Sequence, residues 1–300
     1  MTIRAGFIGL GNIGAPMAER VARRGLPLVV WNRSAEKLAP LVALGAAVAS
    51  SPADVAARSD VVCLCVDSAA AVEAIILGPG GVTDAAMRPR LIVDHSTIHP
   101  QKTRDLAAQV KDKSGIAWLD APVSGGPVGA LAGTLAVMAG GNPADLDLAR
   151  PILECFADRV TLMGPVGAGQ ATKACNQIIN FGTIASIAEA LAFGQRFGLD
   201  IASLPRALSG GFADSNMLRE YGRASEAGEN DNITLLINGL VDLFGGRVDS
   251  AMAGRLDILM KDLAIITDVA RQSGSPAMVT SLVESLFRLI QFQTKETGNP

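Results

Sequence analysis

Ile3-Arg4-Ala5-Gly6-Phe7-Ile8-Gly9-Leu10-Gly11-Asn12-Ile13-Gly14-Ala15-Pro16-Met17-Ala18 is an apolar run that breaks at three glycines and resumes with helical spacing. Ile3 to Leu10 predicts a short buried strand and Ala15 to Arg24 a helix that stops at Gly25, with a GxGxxG turn between them. Strand, turn and helix in that order are the context in which this glycine spacing carries meaning. The first two glycines allow a tight turn and bring backbone N–H groups close to a pyrophosphate. The third lets the helix pack on the strand, and the positive helix start then meets the phosphates. A dinucleotide is therefore expected against Gly9, Leu10, Gly11, Asn12, Ile13 and Gly14.

Outward from this unit, strand and helix patterns alternate, which predicts a parallel sheet. Leu28 to Trp31 leads into Asn32-Arg33-Ser34, where an NAD site would place a carboxylate for the ribose hydroxyls. None is present. Arg33 offers a planar cation and Ser34 a hydroxyl for a 2′-phosphate, so NADP(H) is favoured with NAD(H) possible, and Ser34 also reads as a cap of the next helix. Val61 to Val66 predicts a strand buried on both faces, with Val66 and Asp67 at its carboxyl end bordering the cofactor. Leu91 to Asp94 is the next strand, and His95-Ser96-Thr97 leaves it at the same edge. His95 without a second ligand reads as structural; neither histidine is given a catalytic role, and no metal is expected. After the strand ending at Asp120-Ala121-Pro122, Val123-Ser124-Gly125-Gly126-Pro127 exposes N–H groups beside a hydroxyl. That suits a carboxylate, and an ordinary tight turn reads the same residues.

Gly164 to Phe197 reads as one long helix opened by a glycine turn. Lys173, Asn176, Gln177 and Asn180 fall on one side of it, three and four apart, as a polar stripe on an apolar rod. A buried lysine there has its pKa lowered by desolvation towards the range of proton exchange near neutrality; a lysine snorkelling from the helix start is the alternative. Beyond Phe197 helices are expected at Ile201 to Leu208, Asn216 to Ala227, Leu235 to Phe244, Ser250 to Gln272 and Pro276 to Thr294, with a frayed tail from Lys295 to Pro300.

A chain of 300 residues with net charge -3 and 49% hydrophobic content is long enough for two domains and lacks the basic face that nucleic acid or an anionic membrane requires. The N-terminus has no signal-peptide pattern, and no apolar segment is expected to span a bilayer, so a soluble, cytoplasmic protein is expected. Cys63, Cys65, Cys155 and Cys175 have neither zinc nor CxxC spacing and read as buried, reduced thiols.

With these residues in view, the chain resembles the β-hydroxyacid dehydrogenase family, which includes 3-hydroxyisobutyrate dehydrogenase and tartronate semialdehyde reductase. The matching segments are Gly6 to Ala18, Asp94-His95-Ser96-Thr97-Ile98, Asp120-Ala121-Pro122-Val123-Ser124-Gly125-Gly126-Pro127, Gly167 to Gln177 and Lys261-Asp262-Leu263, in the family's order. The resemblance implies an α/β Rossmann-type domain, 1–164, then an all-α domain, 165–300, joined by a long interdomain helix, with the active site in the cleft between them. It implies Lys173 as catalytic lysine, Ser124, Gly125 and Gly126 as the site for a small-molecule carboxylate substrate, and Asn176 and Gln177 as polar partners on the helix. Thr97 and Lys261 would contact the cofactor, and the protein would form a homodimer or homotetramer. Gln177 departs from the asparagine of many members, and Ala224 to Gly246 looks like extra sequence. The implied activity is NADP(H)-dependent interconversion of a small β-hydroxy acid and its semialdehyde or keto acid. An imine reductase and a catalytically silent dinucleotide-binding scaffold are the rivals, and retention of Lys173 argues against both.

Overall fold

A computed structural model describes residues 2–247 and 256–297. The chain divides into two compact units, Met1–Cys175 and Asn176–Pro300. The sequence places the boundary at 164/165; the units part further along, inside the long helix, because Gln170 and Lys173 in its first turns are hydrogen-bonded to the first unit.

In the first unit, strands β1 (Ala5–Ile8), β2 (Leu28–Trp31), β3 (Ala47–Val48), β4 (Val61–Leu64), β5 (Leu91–Asp94), β6 (Ala117–Asp120), β7 (Val123–Ser124), β8 (Leu135–Gly140) and β9 (Ala157–Gly164) form one sheet. Its order is β3-β2-β1-β4-β5-β6-β8-β7, with β9 paired to β8. The first six strands are mutually parallel, and β6 and β7 run antiparallel to β8. Helices α1 (Gly14–Arg23), α2 (Ala39–Ala43), α3 (Pro52–Ala57), α4 (Ala69–Leu77), α5 (Pro100–Ser114), α6 (Gly126–Ala132) and α7 (Pro143–Leu153) connect them.

The near-continuous apolar strands follow from burial on both sides. Phe7, Cys63, Val93 and Leu119 lie in register across β1, β4, β5 and β6 and enter one core. Their neighbours Ile8, Val62, Leu64, Ile92 and Trp118 point the other way into a second. β4 ends at Leu64, earlier than expected: the Cys65 N–H still reaches the Ile8 carbonyl, but the Val66 N–H turns to the Ser96 hydroxyl.

His95, just past β5, is 3% exposed, with Nδ1 2.7 Å from the Ala121 carbonyl oxygen. Phe7 stacks on its ring and Phe156 meets it edge-on. Burial drives its pKa down to about 4 against the raising effect of the Ala121 carbonyl, which makes it a neutral structural group. A folded pKa below the unfolded value means that stability is lost as pH falls from about 6.5 towards about 4, on the order of 3 kcal/mol for this group. The chain has 2 histidines, so proton NMR reads the effect directly: one imidazole titrates only near the acid end. Titration of the His95 ring near pH 6.5 would contradict the burial argument.

The long helix α8 (Ala168–Arg196) starts in the first unit and continues into the second, where α9 (Leu204–Leu208), α10 (Asn216–Ala227), α11 (Asn232–Phe244), α12 (Leu256–Ser273) and α13 (Met278–Thr297) accompany it. Among the described residues α8 is long and apolar enough to cross a membrane by length and composition alone, a test that the core helix of a soluble protein also passes. The core of this unit contains Ile184, Ala188, Leu191, Ile237, Leu240, Leu263 and Phe287, with Phe181 edge-on to Phe287. Ser215 caps α10 through the Leu218 N–H and Asp231 caps α11 through the Thr234 N–H. Arg219 is paired with Asp214 at 2.7 Å. The segment Ala224 to Gly246 forms the end of α10 and the whole of α11. The start of the helix expected from Ser250 lies outside the described residues. The expected frayed tail is helical as far as Thr297.

Candidate active site

The glycine turn divides into two kinds of position. Gly9 has φ +93°, and a Cβ there would lie 2.2 Å from the Cys65 carbonyl oxygen; at Gly14 it would lie 2.1 Å from the Gly9 carbonyl oxygen. The chain's own packing demands both glycines. At Gly11 a Cβ meets nothing within 4 Å, so the protein itself makes no such demand there. α1 begins with no side-chain cap and no acidic residue in its first turn; the Ala15 N–H is taken by the Gly11 carbonyl and Pro16 has none, so the helix offers an anion its positive end and the Gly14 N–H. These features fit the pyrophosphate of a dinucleotide.

Asn32 braces the turn. Its Oδ1 accepts the Leu10 N–H at 2.9 Å and its Nδ2 donates to the Ser34 carbonyl at 3.0 Å, so much of its amide is engaged within the protein. Ser34 does not cap the following turn by its side chain, contrary to expectation; its backbone carbonyl accepts the Lys37 N–H instead. Arg33 is exposed, with no hydrogen bond or ion pair to another described residue.

At the carboxyl edge of the sheet, Asp94 and Asp120 are register partners on β5 and β6, both fully buried. Asp94 Oδ1 accepts the Ser96 N–H at 2.9 Å, and Ser96 Oγ accepts the Val66 N–H at 3.0 Å. Asp120 receives the start of α8: Oδ1 accepts the Gly167 N–H at 2.7 Å and Oδ2 the Gln170 N–H at 2.9 Å. Burial raises its carboxyl above the usual carboxylate range, opposed by these donors. Cβ atoms at Gly140 and Gly169 would lie 2.7 Å and 2.8 Å from Asp120 oxygens, which explains why glycines line this joint.

Lys173 is 8% exposed, and its Nζ donates to the Val123 carbonyl at 2.8 Å. The lysine is therefore held inside and does not snorkel. Val123 precedes Ser124, Gly125 (φ +126°) and Gly126 (φ +61°), where the left-handed backbone requires glycine and opens α6. The first unit thus brings Lys173 to the loop of Ser124, two features far apart in the chain. Val66 and Thr97 are linked through Ser96 at the same sheet edge, and Asp67 follows as an exposed residue.

Asn176, Gln177 and Lys261 belong to the second unit. There Gln177 Nε2 donates to Asp262 Oδ2 at 2.6 Å, while its Oε1 accepts from Asn176 Nδ2 at 3.0 Å and Asn180 Nδ2 at 3.2 Å. Lys261 Nζ lies 3.5 Å from Asp262 Oδ1. The longer reach of glutamine is spent on this carboxylate. Sequence reasoning assigned no role to Asp120, Gln170 or Asp262; the available signal was a charged or amide side chain embedded in apolar surroundings. Burial raises Cys63 and pushes Cys65 up to about 12, keeping both thiols protonated, whereas Cys175 is exposed, against expectation.

A mostly parallel sheet with a glycine turn at its carboxyl edge, followed by a helical unit, has the frame of a dinucleotide-binding protein. A family model described as the NAD binding domain of 6-phosphogluconate dehydrogenase matches residues 4–164. A second, described as NAD-binding of NADP-dependent 3-hydroxyisobutyrate dehydrogenase, matches residues 167–233. The chain is 39% identical to the 2-hydroxy-3-oxopropionate reductase of Escherichia coli, over 73% of this chain and 75% of that protein. It is 33% identical to the mitochondrial 3-hydroxyisobutyrate dehydrogenase of Homo sapiens, over 95% of this chain and 81% of that protein. A solved structure of Mycobacterium tuberculosis 3-hydroxyisobutyrate dehydrogenase with L-serine superposes with a TM-score of 0.75 at 28% identity, covering 98% of this chain and 95% of that chain. The chain belongs to the β-hydroxyacid dehydrogenase family and is an NAD(P)-dependent oxidoreductase acting on CH–OH groups.

Proposed function

We propose that this chain interconverts a small β-hydroxy acid and its semialdehyde or keto acid, prefers NADP(H), and uses Lys173 as general acid/base. The observation that carries this reading is the buried Lys173 ammonium tied to the Val123 carbonyl at 2.8 Å, beside Ser124. When bound, the nicotinamide supplies or takes up the hydride. The chain's own residues handle the proton and the geometry. In reduction the Lys173 ammonium gives its proton to the substrate oxygen; in oxidation its neutral amine takes the hydroxyl proton, while the Val123 carbonyl fixes the direction of Nζ. The Ser124 hydroxyl and the N–H groups of Gly125 and Gly126 hold the substrate carboxylate, and such orientation supplies part of the barrier reduction. The glycine turn holds the pyrophosphate, Val66, Asp67 and Thr97 border the cofactor, and Arg33 holds the 2′-phosphate. The exposed Ile179, Phe193 and Phe197 of α8 and Met278 and Leu282 of α13 offer apolar surface to a second copy of the chain, which supports a homodimer or homotetramer.

The test is turnover of NADPH and NADH with tartronate, methylmalonate and succinate semialdehydes and glyoxylate. Turnover with NADPH ahead of NADH is expected. Arg33→Ser raises the KM for NADPH by about tenfold or more and leaves NADH nearly unchanged, as loss of a charge-assisted contact requires. Silence across the panel with NADPH bound would overturn the activity, and equal response of both cofactors to Arg33→Ser would overturn the preference.

A further inference from the structure

Gln170 lies one helical turn before Lys173 on α8 and is 2% exposed. Its side chain grips the backbone on either side of Thr97: Oε1 accepts the Ile98 N–H at 3.2 Å and Nε2 donates to the Ser96 carbonyl at 2.7 Å. Its own N–H is held by Asp120 Oδ2 at 2.9 Å. Three segments therefore meet in one residue: the Thr97 loop after β5, the end of β6 from which the Ser124 loop departs, and the helix that carries Lys173. A buried amide that uses both ends in this way fixes its own orientation, because a flip would set donor against donor and acceptor against acceptor.

We infer that Gln170 is a positioning residue for the reaction: it locks the Thr97 loop to the first turn of α8, so that the cofactor edge and the Lys173 ammonium are held in one rigid frame. The inference rests on the proposed roles of Thr97 and Lys173. Asp120 serves the same frame from below, since its carboxylate closes the first turn of α8 against β6 while Val123, three residues on, takes the Lys173 proton donor. An error of about 1 Å in such a frame lowers the chemical step about a hundredfold without removing any group that touches substrate.

The test uses two variants of the full chain. Gln170→Met keeps length and volume and removes both hydrogen bonds; kcat is expected to fall roughly 10–100-fold with the Kd for NADPH within about threefold, the pattern of lost orientation and not of lost binding. In the cofactor-free protein, hydrogen exchange at the Ile98 amide is expected to accelerate, a readout independent of turnover. Gln170→Glu supplies a pH test. Protonated, the introduced carboxyl donates to the Ser96 carbonyl and accepts from Ile98 as the amide does. Ionised, it faces the Ser96 carbonyl oxygen, with the carboxylates of Asp94 and Asp120 bonded to the same segments and Lys173 one turn on. Its kcat is expected to approach wild type at acid pH and to fall by about tenfold or more as pH rises, a limb absent from wild type and from Gln170→Met. Should Gln170→Met fail to fold, this limb decides the matter.

Wild-type kcat in folded Gln170→Met, or a Gln170→Glu profile that parallels wild type, would overturn the inference while Lys173→Ala still collapses. If wild type itself is silent on the panel, the proposed activity fails, and the Ile98 exchange rate still decides whether Gln170 locks the loop.

Discussion

Lys173→Ala lowers kcat by roughly 10²–10⁴-fold, the range over which a positioned proton donor contributes. The argument begins with burial. A lysine 8% exposed would forfeit its charge unless something replaced water around it, and the Val123 carbonyl at 2.8 Å is such a replacement. Packing alone would have placed a leucine or methionine there. Lys173→Met separates chemistry from fold, since it fills the same space without a proton to give. Lys173→Arg keeps the charge but, always protonated, cannot serve as base, so oxidation should suffer more than reduction. Loss of the donor leaves the Val123 carbonyl buried and unpaired at about 1–3 kcal/mol, partly offset by removal of a buried cation. The measurement is kcat in both directions beside the Kd for NADPH and the melting temperature. Retention of kcat in folded Lys173→Met would remove the lysine from the mechanism.

The first unit was legible because its signals are local. Phe7, Cys63, Val93 and Leu119 sit in runs short and apolar enough to be strands buried on both faces, and the spacing of Gly9, Gly11 and Gly14 locates the dinucleotide turn before any contact is known. What escaped lies in pairs distant along the chain. Gln177 and Asp262 are separated by 85 positions and Gln170 and Ser96 by 74, so nothing in either stretch announces its partner. Lys173 was legible as an anomaly on an apolar helix, but the choice between snorkelling and burial needed the Val123 carbonyl, 50 positions away. Ser34 misled for a related reason: it is the right residue type for a cap, but the turn that follows is a single 3-10 turn, in which its side chain finds no N–H to accept from. Cys175 misled because a cysteine without zinc or CxxC spacing reads by default as a buried thiol, whereas that position faces outward.

Gly14→Ala and Gly11→Ala change the same residue type three positions apart and are expected to fail differently. At Gly14 the new methyl would stand 2.1 Å from the Gly9 carbonyl oxygen and 3.2 Å from Cys65 Cβ, and the obstacle at close range is backbone, which cannot swing away as a side chain tip does. The turn must open between β1 and α1, at a cost of about 3–5 kcal/mol, in the upper part of the range for point substitutions. Gly9→Ala should be as damaging, since φ +93° and a carbonyl oxygen at 2.2 Å oppose it together. Gly11→Ala meets no protein atom within 4 Å, and its melting temperature should stay within a few degrees of wild type. Its cost falls on the cofactor: a methyl group displaces the pyrophosphate from the backbone N–H groups, and the Kd for NADPH rises by about tenfold or more. Thermal unfolding with and without NADPH reads both variants in one experiment. Gly14→Ala should unfold early in either condition, and Gly11→Ala should match wild type alone and gain less from the cofactor. Equal stabilisation of Gly11→Ala and wild type by NADPH would move the pyrophosphate away from this turn.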